Sequence, residues 1–290
     1  MRKRIGVIGS LLAGGLALAS VPAVAEMEPM SDKEMGSVTG QAMLGLDVNQ
    51  TGQADFTRYT IGSRSELQMN MQELALGETS SGTDVQVDNL SLGHIARTDG
   101  TQFDGNTYSA NEIVPFVGMD PYLELAEDGG NVVGFRMGFT EARGTLSGKF
   151  GTLSGQLGIE LEDSSGNVQQ GQLLDSTGAA TSKRATHFGL AGSDCSTQTD
   201  CAPLSAIQTL EVGERDADGN AQFTNDFFIS FQKQALDWET PGDATGTVSA
   251  ESGVYINIPT AMRLDLQSLQ NDTVVPRKRT EYIDRGQGLF

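Results

Sequence analysis

Residues able to do chemistry are sparse in this sequence, and the tightest spacing among them is Asp216-Ala-Asp218-Gly-Asn220. Side-chain oxygens at alternate positions open a calcium loop, because the loop's curvature turns them toward one point. Such a loop also needs glycine at its sixth position and glutamate at its twelfth. Those positions hold Ala221 and Phe227. Asp216, Asp218 and Asn220 are therefore candidate calcium ligands with two of the motif's conditions unmet, and a β-turn carrying acids explains them without metal. Ser147 and Ser154 each sit in Gly-Thr-Leu-Ser-Gly. A nucleophile elbow needs Gly-x-Ser-x-Gly between a strand and a helix. The two histidines, His94 and His187, could act as a base only if folding carried one to a serine. No phosphate loop or dinucleotide fingerprint is present. The expectation is a protein without catalytic residues or cofactor. A secreted hydrolase stays as a remote alternative that requires a serine–histidine or acid-pair pocket.

Cys195 and Cys201 are the two cysteines, separated by Ser-Thr-Gln-Thr-Asp. Two thiols fall short of the four ligands of a structural zinc site, and the spacing is not that of a redox CxxC. In an oxidising compartment a pair this close forms a disulfide.

The N-terminus points to such a compartment. Arg2, Lys3 and Arg4 precede an apolar run from Ile5 to Ala19, then Val21-Pro-Ala-Val-Ala25. Basic, apolar and small-residue regions in this order make a secretory signal over 1–25, cleaved after Ala25. The run is short for a membrane span of about 20 residues. No cysteine stands at the cleavage region, so no lipid anchor is expected, and no later stretch is long enough for a transmembrane helix. The protein is expected to be exported, to the periplasm, the outer-membrane surface or the medium.

The chain has 19 basic and 38 acidic residues, a net charge of −19. Losing the leader's three cations would take it to −22. Such a surface repels nucleic acid and anionic lipid. Hydrophobic residues make up 38 % and glycine 36 positions, as expected when each strand buries one face and many tight turns join them.

Period-two alternation supplies those strands. In 26–40, Ser31 with Glu34 resembles a helix cap, cut short by Gly36 and Gly40; a mobile segment with one helical turn is expected. Leu44, Leu46 and Val48 then share a face, as do Tyr59 with Ile61. Val85 and Val87 lie on one face, Leu90 and Leu92 on the opposite one. A hairpin over 115–139 turns at Glu127-Asp-Gly-Gly-Asn131, with Val133, Phe135, Met137 and Phe139 expected inward and Gly134, Arg136 and Gly138 outward. Two Gly-Thr-Leu-Ser-Gly copies require a change of parity near Gly151; two coils of a β-solenoid are the alternative. Residues 98–112 and 163–183 read as loop, and 262–269 as strand or short helix. Phe223, Phe227, Ile229 and Phe231 share parity ahead of Trp238.

The stretch Met30-Ser-Asp-Lys-Glu-Met-Gly-Ser-Val-Thr-Gly-Gln41 resembles the N-terminal motif of an exported gamma-proteobacterial family described as pilus- or fimbria-associated, the FilA-like group. Residues 133–139, 225–233 and 279–290 are similar to the same group. Met35 stands where leucine is usual. The resemblance implies export and assembly at the surface and brings no catalytic residues.

The expected architecture is mainly β, an antiparallel β-sandwich or β-roll with long polar loops, forming one large domain over 41–290. The expected role is a non-enzymatic surface or envelope structural protein whose partners are itself or other surface subunits. Its candidate assembly strand contains Leu44, Leu46 and Val48, either donated to a neighbour or paired within its own chain. An outer-membrane β-barrel is the alternative. The terminal Phe290 suits one, but Asp284, Gly286 and Gly288 suit a lipid-facing band poorly.

Overall fold

The computed structural model describes residues 44–50, 53–198, 200–242, 246–270 and 274–281. The expected leader over 1–25, the 26–40 segment with its expected helical turn, and the tail beyond residue 281 lie outside the described residues. The described residues fall within one unit, mainly antiparallel β and sandwich-like, as alternation and turn chemistry require.

The principal strands are β1 (Gly45–Gln50), β2 (Asp55–Thr60), β3 (Arg64–Leu67), β4 (Met69–Leu76), β5 (Val85–Leu92), β6 (Phe116–Asp128), β7 (Asn131–Thr152), β8 (Gly155–Leu157), β9 (Thr209–Val212), β10 (Thr224–Gln232), β11 (Leu236–Glu239), β12 (Thr247–Ala250) and β13 (Gly253–Ile258). The main sheet runs β1-β2-β6-β7-β10-β13-β8, with β3 added to β6. All these pairs are antiparallel except β8–β13. The order ends at β1 and β8, which are not paired with each other.

The expected hairpin is β6–β7, turning through Gly129 and Gly130, both at positive φ. Its second strand continues well past Phe139. Up to Ala142, β7 pairs with β6 and β10; from Gly144 it pairs with β9 and β5. One strand thus serves two sheets, as at the corner of a sandwich. Gly144 marks the change: its φ is +149°, and a Cβ there would lie 2.8 Å from the Phe116 Cα. The parity change near Gly151 is present as register shifts in β5–β7 around Lys149 and Phe150. The two Gly-Thr-Leu-Ser-Gly copies do not stack as solenoid coils; β8 pairs with β13 instead. In β5 the expected change of face falls at Asn89, in the left-handed region at φ 53°.

Some expected loops contain short strands. Thr107–Tyr108 pairs with Gly100–Thr101, and Val168–Gln170 and Gln172–Leu174 lie within 163–183. These ladders are two or three residues long, too short for periodicity to reveal them. Residues 262–269 contain both alternatives, a strand Arg263–Asp265 and a 3-10 turn Leu266–Gln270.

The larger core holds Val85, Phe116, Leu146, Phe150, Ile159, Leu210 and Ile258, among others. A smaller one gathers Phe56, Tyr122, Phe228, Leu236 and Trp238 on the opposite face of the main sheet, beneath the β11–β12 hairpin.

The facing expected for β7 holds for Phe139, which packs on the larger core, and is reversed around Arg136. Arg136 is 0 % exposed, while Met137 is 45 % exposed and Phe135 half-buried. β10 repeats the pattern: Asp226, Ser230 and Gln232 are buried, whereas Phe227, Ile229 and Phe231 are only partly so. The reason lies in the glycines beside Arg136. A Cβ on Gly134 would meet Leu236 Cδ1 at 2.6 Å, and one on Gly138 would meet Phe228 Cβ at 2.7 Å. Glycine leaves the space that the covering hairpin and the aromatic rings fill, so the Gly-x-Arg-x-Gly side turns inward.

Candidate functional site

The reversal builds a buried row of alternating charge. Arg58, Glu124, Arg136 and Ser230 stand opposite one another across β2, β6, β7 and β10. Arg136 Nε donates to Glu124 Oε2 at 2.5 Å and Nη1 to Asp226 Oδ2 at 3.0 Å. Its Nη2 donates to the Glu239 carbonyl. Arg58 Nη2 lies 3.2 Å from Glu124 Oε1 and donates to the same carbonyl at 2.8 Å. Tyr122 Oη donates to Asp226 Oδ1 at 2.5 Å. The Arg136 guanidinium carbon is 4.9 Å from the Phe228 ring centre and 5.2 Å from those of Tyr122 and Trp238. Burial pushes the Asp226 carboxyl upward, opposed by the Arg136 charge and the Tyr122 hydrogen bond. Burial likewise raises the Tyr122 hydroxyl, keeping it a donor. Each of the two cations has a carboxylate partner here, the condition under which buried charge is tolerated, while Arg58 Nε, Ser230 Oγ and Trp238 Nε1 are buried without a hydrogen-bond partner.

The other face of the sheet follows from this. Rows Leu46–Tyr59–Leu123–Met137–Ile229 and Val48–Thr57–Leu125–Phe135–Phe231 cross five strands with Thr57 the one polar member. Toward β10 and β13 this face packs on the larger core, through Ile229, Phe231 and Ile256. Toward β1 it is uncovered: Leu44, Leu46, Val48, Tyr59, Ile61, Leu123 and Met137 are 41–65 % exposed. Phe135 and Phe231 stack at 4.8 Å where the covered and uncovered parts meet. Among the described residues β1 has β2 as its one strand partner, so its outer edge presents unpaired backbone groups. It carries no proline, lysine or bulge, and Asp47 is its one charged side chain. An open edge beside an apolar face is the arrangement a binding strand or sheet requires.

The other sequence candidates lie apart. Leu44, Leu46 and Val48 belong to or adjoin β1, which is paired antiparallel within its own chain. Cys195 and Cys201 form a disulfide packed on Leu174. Asp216 Oδ1 accepts the backbone N–H groups of Asp218 and Asn220, and Oδ2 accepts the side chains of Asn220 and Gln222. The same turn recurs at Asp163–Asn167 and Asp175–Ala179, each with its glycine at positive φ. Asp216, Asp218 and Asn220 thus form one of three like-built turns, and the Asp216 oxygens are occupied by the turn's own donors. Among the described residues no group of three or more His, Cys, Asp or Glu is placed to hold a metal.

Neither serine meets a histidine. Ser147 Oγ bonds Thr209 Oγ1 at 3.1 Å, and Ser154 Oγ accepts the Arg184 N–H at 2.8 Å. His94 lies between Thr145 and Gln102, with burial holding it below its ordinary value; His187 bonds Thr186. A cleft of about 1180 Å³ is lined by Arg215, Arg263, Glu160 and Glu211. Two of its cations pair within its walls, Arg215 with Glu211 at 3.0 Å and Arg263 with Glu160 at 2.9 Å, while Arg97, Arg277 and Lys278 line it as well.

Sequence reasoning missed Tyr59, Ile61, Leu123 and Met137 as surface residues, and Arg58, Glu124, Arg136 and Asp226 as a buried set. A signal for both was present. Arg58, Glu124 and Arg136 alternate with apolar neighbours on successive strands, opposite in sign where the strands pair.

Residues 6–113 match a family of unknown function (DUF6160), and this match includes β1 to β5. No curated protein and no solved structure matches the chain. Among the described residues, no helix is long and apolar enough to cross a membrane.

Proposed function

We propose that this chain is an exported, non-enzymatic structural protein of the bacterial envelope or surface, of the pilus-associated kind its sequence resembles, and that β1 is a joining edge. The open edge of β1 carries this reading. An extended segment of a neighbouring subunit can hydrogen-bond along it, the main chain giving affinity and the Leu46 and Val48 side giving register. With β1 already held by β2, it serves as acceptor of a strand rather than as a strand given away. The disulfide is compatible with an oxidising compartment, and the acidic surface suits a secreted protein.

Fractionation of the native host tests it, with the protein followed in periplasm, outer membrane, sheared surface material and medium. A high-mass species in the sheared fraction is expected. Deleting residues 26–48 should change its size distribution. A soluble periplasmic monomer would sink the reading.

A second reading, an outer-membrane protein, draws support from the same sheet, which turns charge inward and apolar side chains outward. The open strand order from β1 to β8 weighs against it. Extraction by detergent alone from the outer membrane would favour it.

A further inference from the structure

We propose that the uncovered apolar face of the main sheet docks a second copy of this chain, face to face about a two-fold axis. Seven of the twelve exposed large apolar side chains among the described residues lie on this part of one sheet face. Scattered exposure needs no explanation, but a contiguous patch does. The patch amounts to roughly 600 Å², at the upper end for a monomer. Two copies stacked would bury roughly 1,200 Å², where stable interfaces begin.

Three observations select a second copy as the occupant. The same face already makes sheet packing within the chain, where Ile229, Phe231 and Ile256 meet the larger core. A second sheet about 10 Å away would continue that layer over Tyr59, Leu123 and Met137. The rows are uncharged at their centre, so two like faces meet without opposing charges, as an isologous contact requires. Third, exposed Asp55 and Glu127 stand opposite each other beyond Thr57 and Leu125, at one margin of the patch, and the chain as a whole has a charge of −19. That rim repels an anionic bilayer. It does not prevent self-association once salt screens it. Such a pair requires no particular cellular location and leaves the β1 edge open, so it can hold or fail independently of the envelope role.

The test is sedimentation equilibrium of the full chain, processed as the cell leaves it, without detergent. A dimer is expected, tightening as salt is raised. Leu123→Glu should weaken it by at least about 100-fold, the effect of a charge in the centre of an interface. Val168→Glu, a comparably exposed site elsewhere, should change it by less than about 3-fold. Because Leu123→Glu could disturb folding, Met137→Cys gives a second readout. Both native cysteines are in the disulfide, so mild oxidation should link Met137→Cys into a covalent dimer and leave Val168→Cys without a covalent link. A monomer at about 100 µM, weaker than ordinary specific association, would overturn the proposal. So would a dimer indifferent to Leu123→Glu, or Leu123-dependent flotation with phosphatidylcholine or phosphatidylglycerol vesicles.

Discussion

Arg136 and Glu124 stand directly opposite each other on β7 and β6, joined Nε to Oε2 at 2.5 Å, with the arginine wholly buried. This pair explains which way the main sheet faces. Its charged side is roofed by Trp238 and Leu236 of the β11–β12 hairpin, and its apolar side is left to the larger core and, toward β1, to solvent.

Replacing one partner of the network should cost more than its hydrogen bonds suggest. Arg136→Met leaves Glu124 to Arg58 and Asp226 to Tyr122, both still buried. The expected loss is about 3–5 kcal/mol, the cost of an uncompensated buried charge. Urea denaturation measures it, and a loss below about 1 kcal/mol would mean that the network behaves like a surface pair.

The glycines beside Arg136 make a separate test. Gly138→Ala puts a Cβ 2.3 Å from the Phe227 carbonyl oxygen, and Gly134→Ala puts one against Leu236. Alanine is otherwise the better strand residue, by roughly 0.5–1 kcal/mol. Overpacking should win, with a net loss of about 1–3 kcal/mol for each, read as a lowered thermal midpoint. A raised midpoint would show that the hairpin roof can shift.

Acid stability should depend on the three Asp-x-x-Gly turns. Asp163 is held below the ordinary carboxylate value of 3.8 first by the Asn167 side chain, Asp175 by Thr177 and Asp216 by the Asn220 backbone. With a depressed folded value, the unfolded chain binds more protons as pH falls. Their contribution is complete above 3.8 and is lost as pH drops through the folded values. Asp226 has the opposite sign, since burial raises it: its contribution is present below 3.8 and lost as pH rises through its folded value. The triple variant D163N/D175N/D216N should therefore lose less stability than the parent between about pH 5 and about pH 2.5, followed by urea midpoints. An unchanged slope would count against the turns.

The disulfide closes a small loop, at a sequence separation of 6. Loop-closure entropy gives about 2 kcal/mol for so short a ring. Cys195→Ser with Cys201→Ser should lower the unfolding free energy by that amount, read as a lower urea midpoint at unchanged slope. A loss beyond about 4 kcal/mol would mean that burial of Cys201 against Leu174 matters more than the ring, since chain entropy cannot supply it.

Much of the fold was legible in the residues. Alternation located the β6–β7 hairpin and β10, glycine and acid clusters marked the turns at 129–130 and 216–220, and spacing paired the cysteines. These are local matters, decided by period two and by which residues tolerate positive φ. The sequence by itself also determined which side chains share a face: Leu46 with Val48, Phe135 with Met137, Arg58, Glu124 and Arg136 on their own strands. Only the tertiary structure decided which of those faces is covered. Periodicity separates two sides of a strand but does not rank them, and polarity ranked them wrongly for Arg136 and Met137 of β7. The outcome rested on non-local facts: Arg58 and Glu124 arriving on neighbouring strands to neutralise Arg136, and Trp238 and Leu236 folding back into the room left by Gly134 and Gly138. Once those charges were paired beneath the hairpin, the apolar side had to face the other way, and nothing in the described chain covers its end at β1.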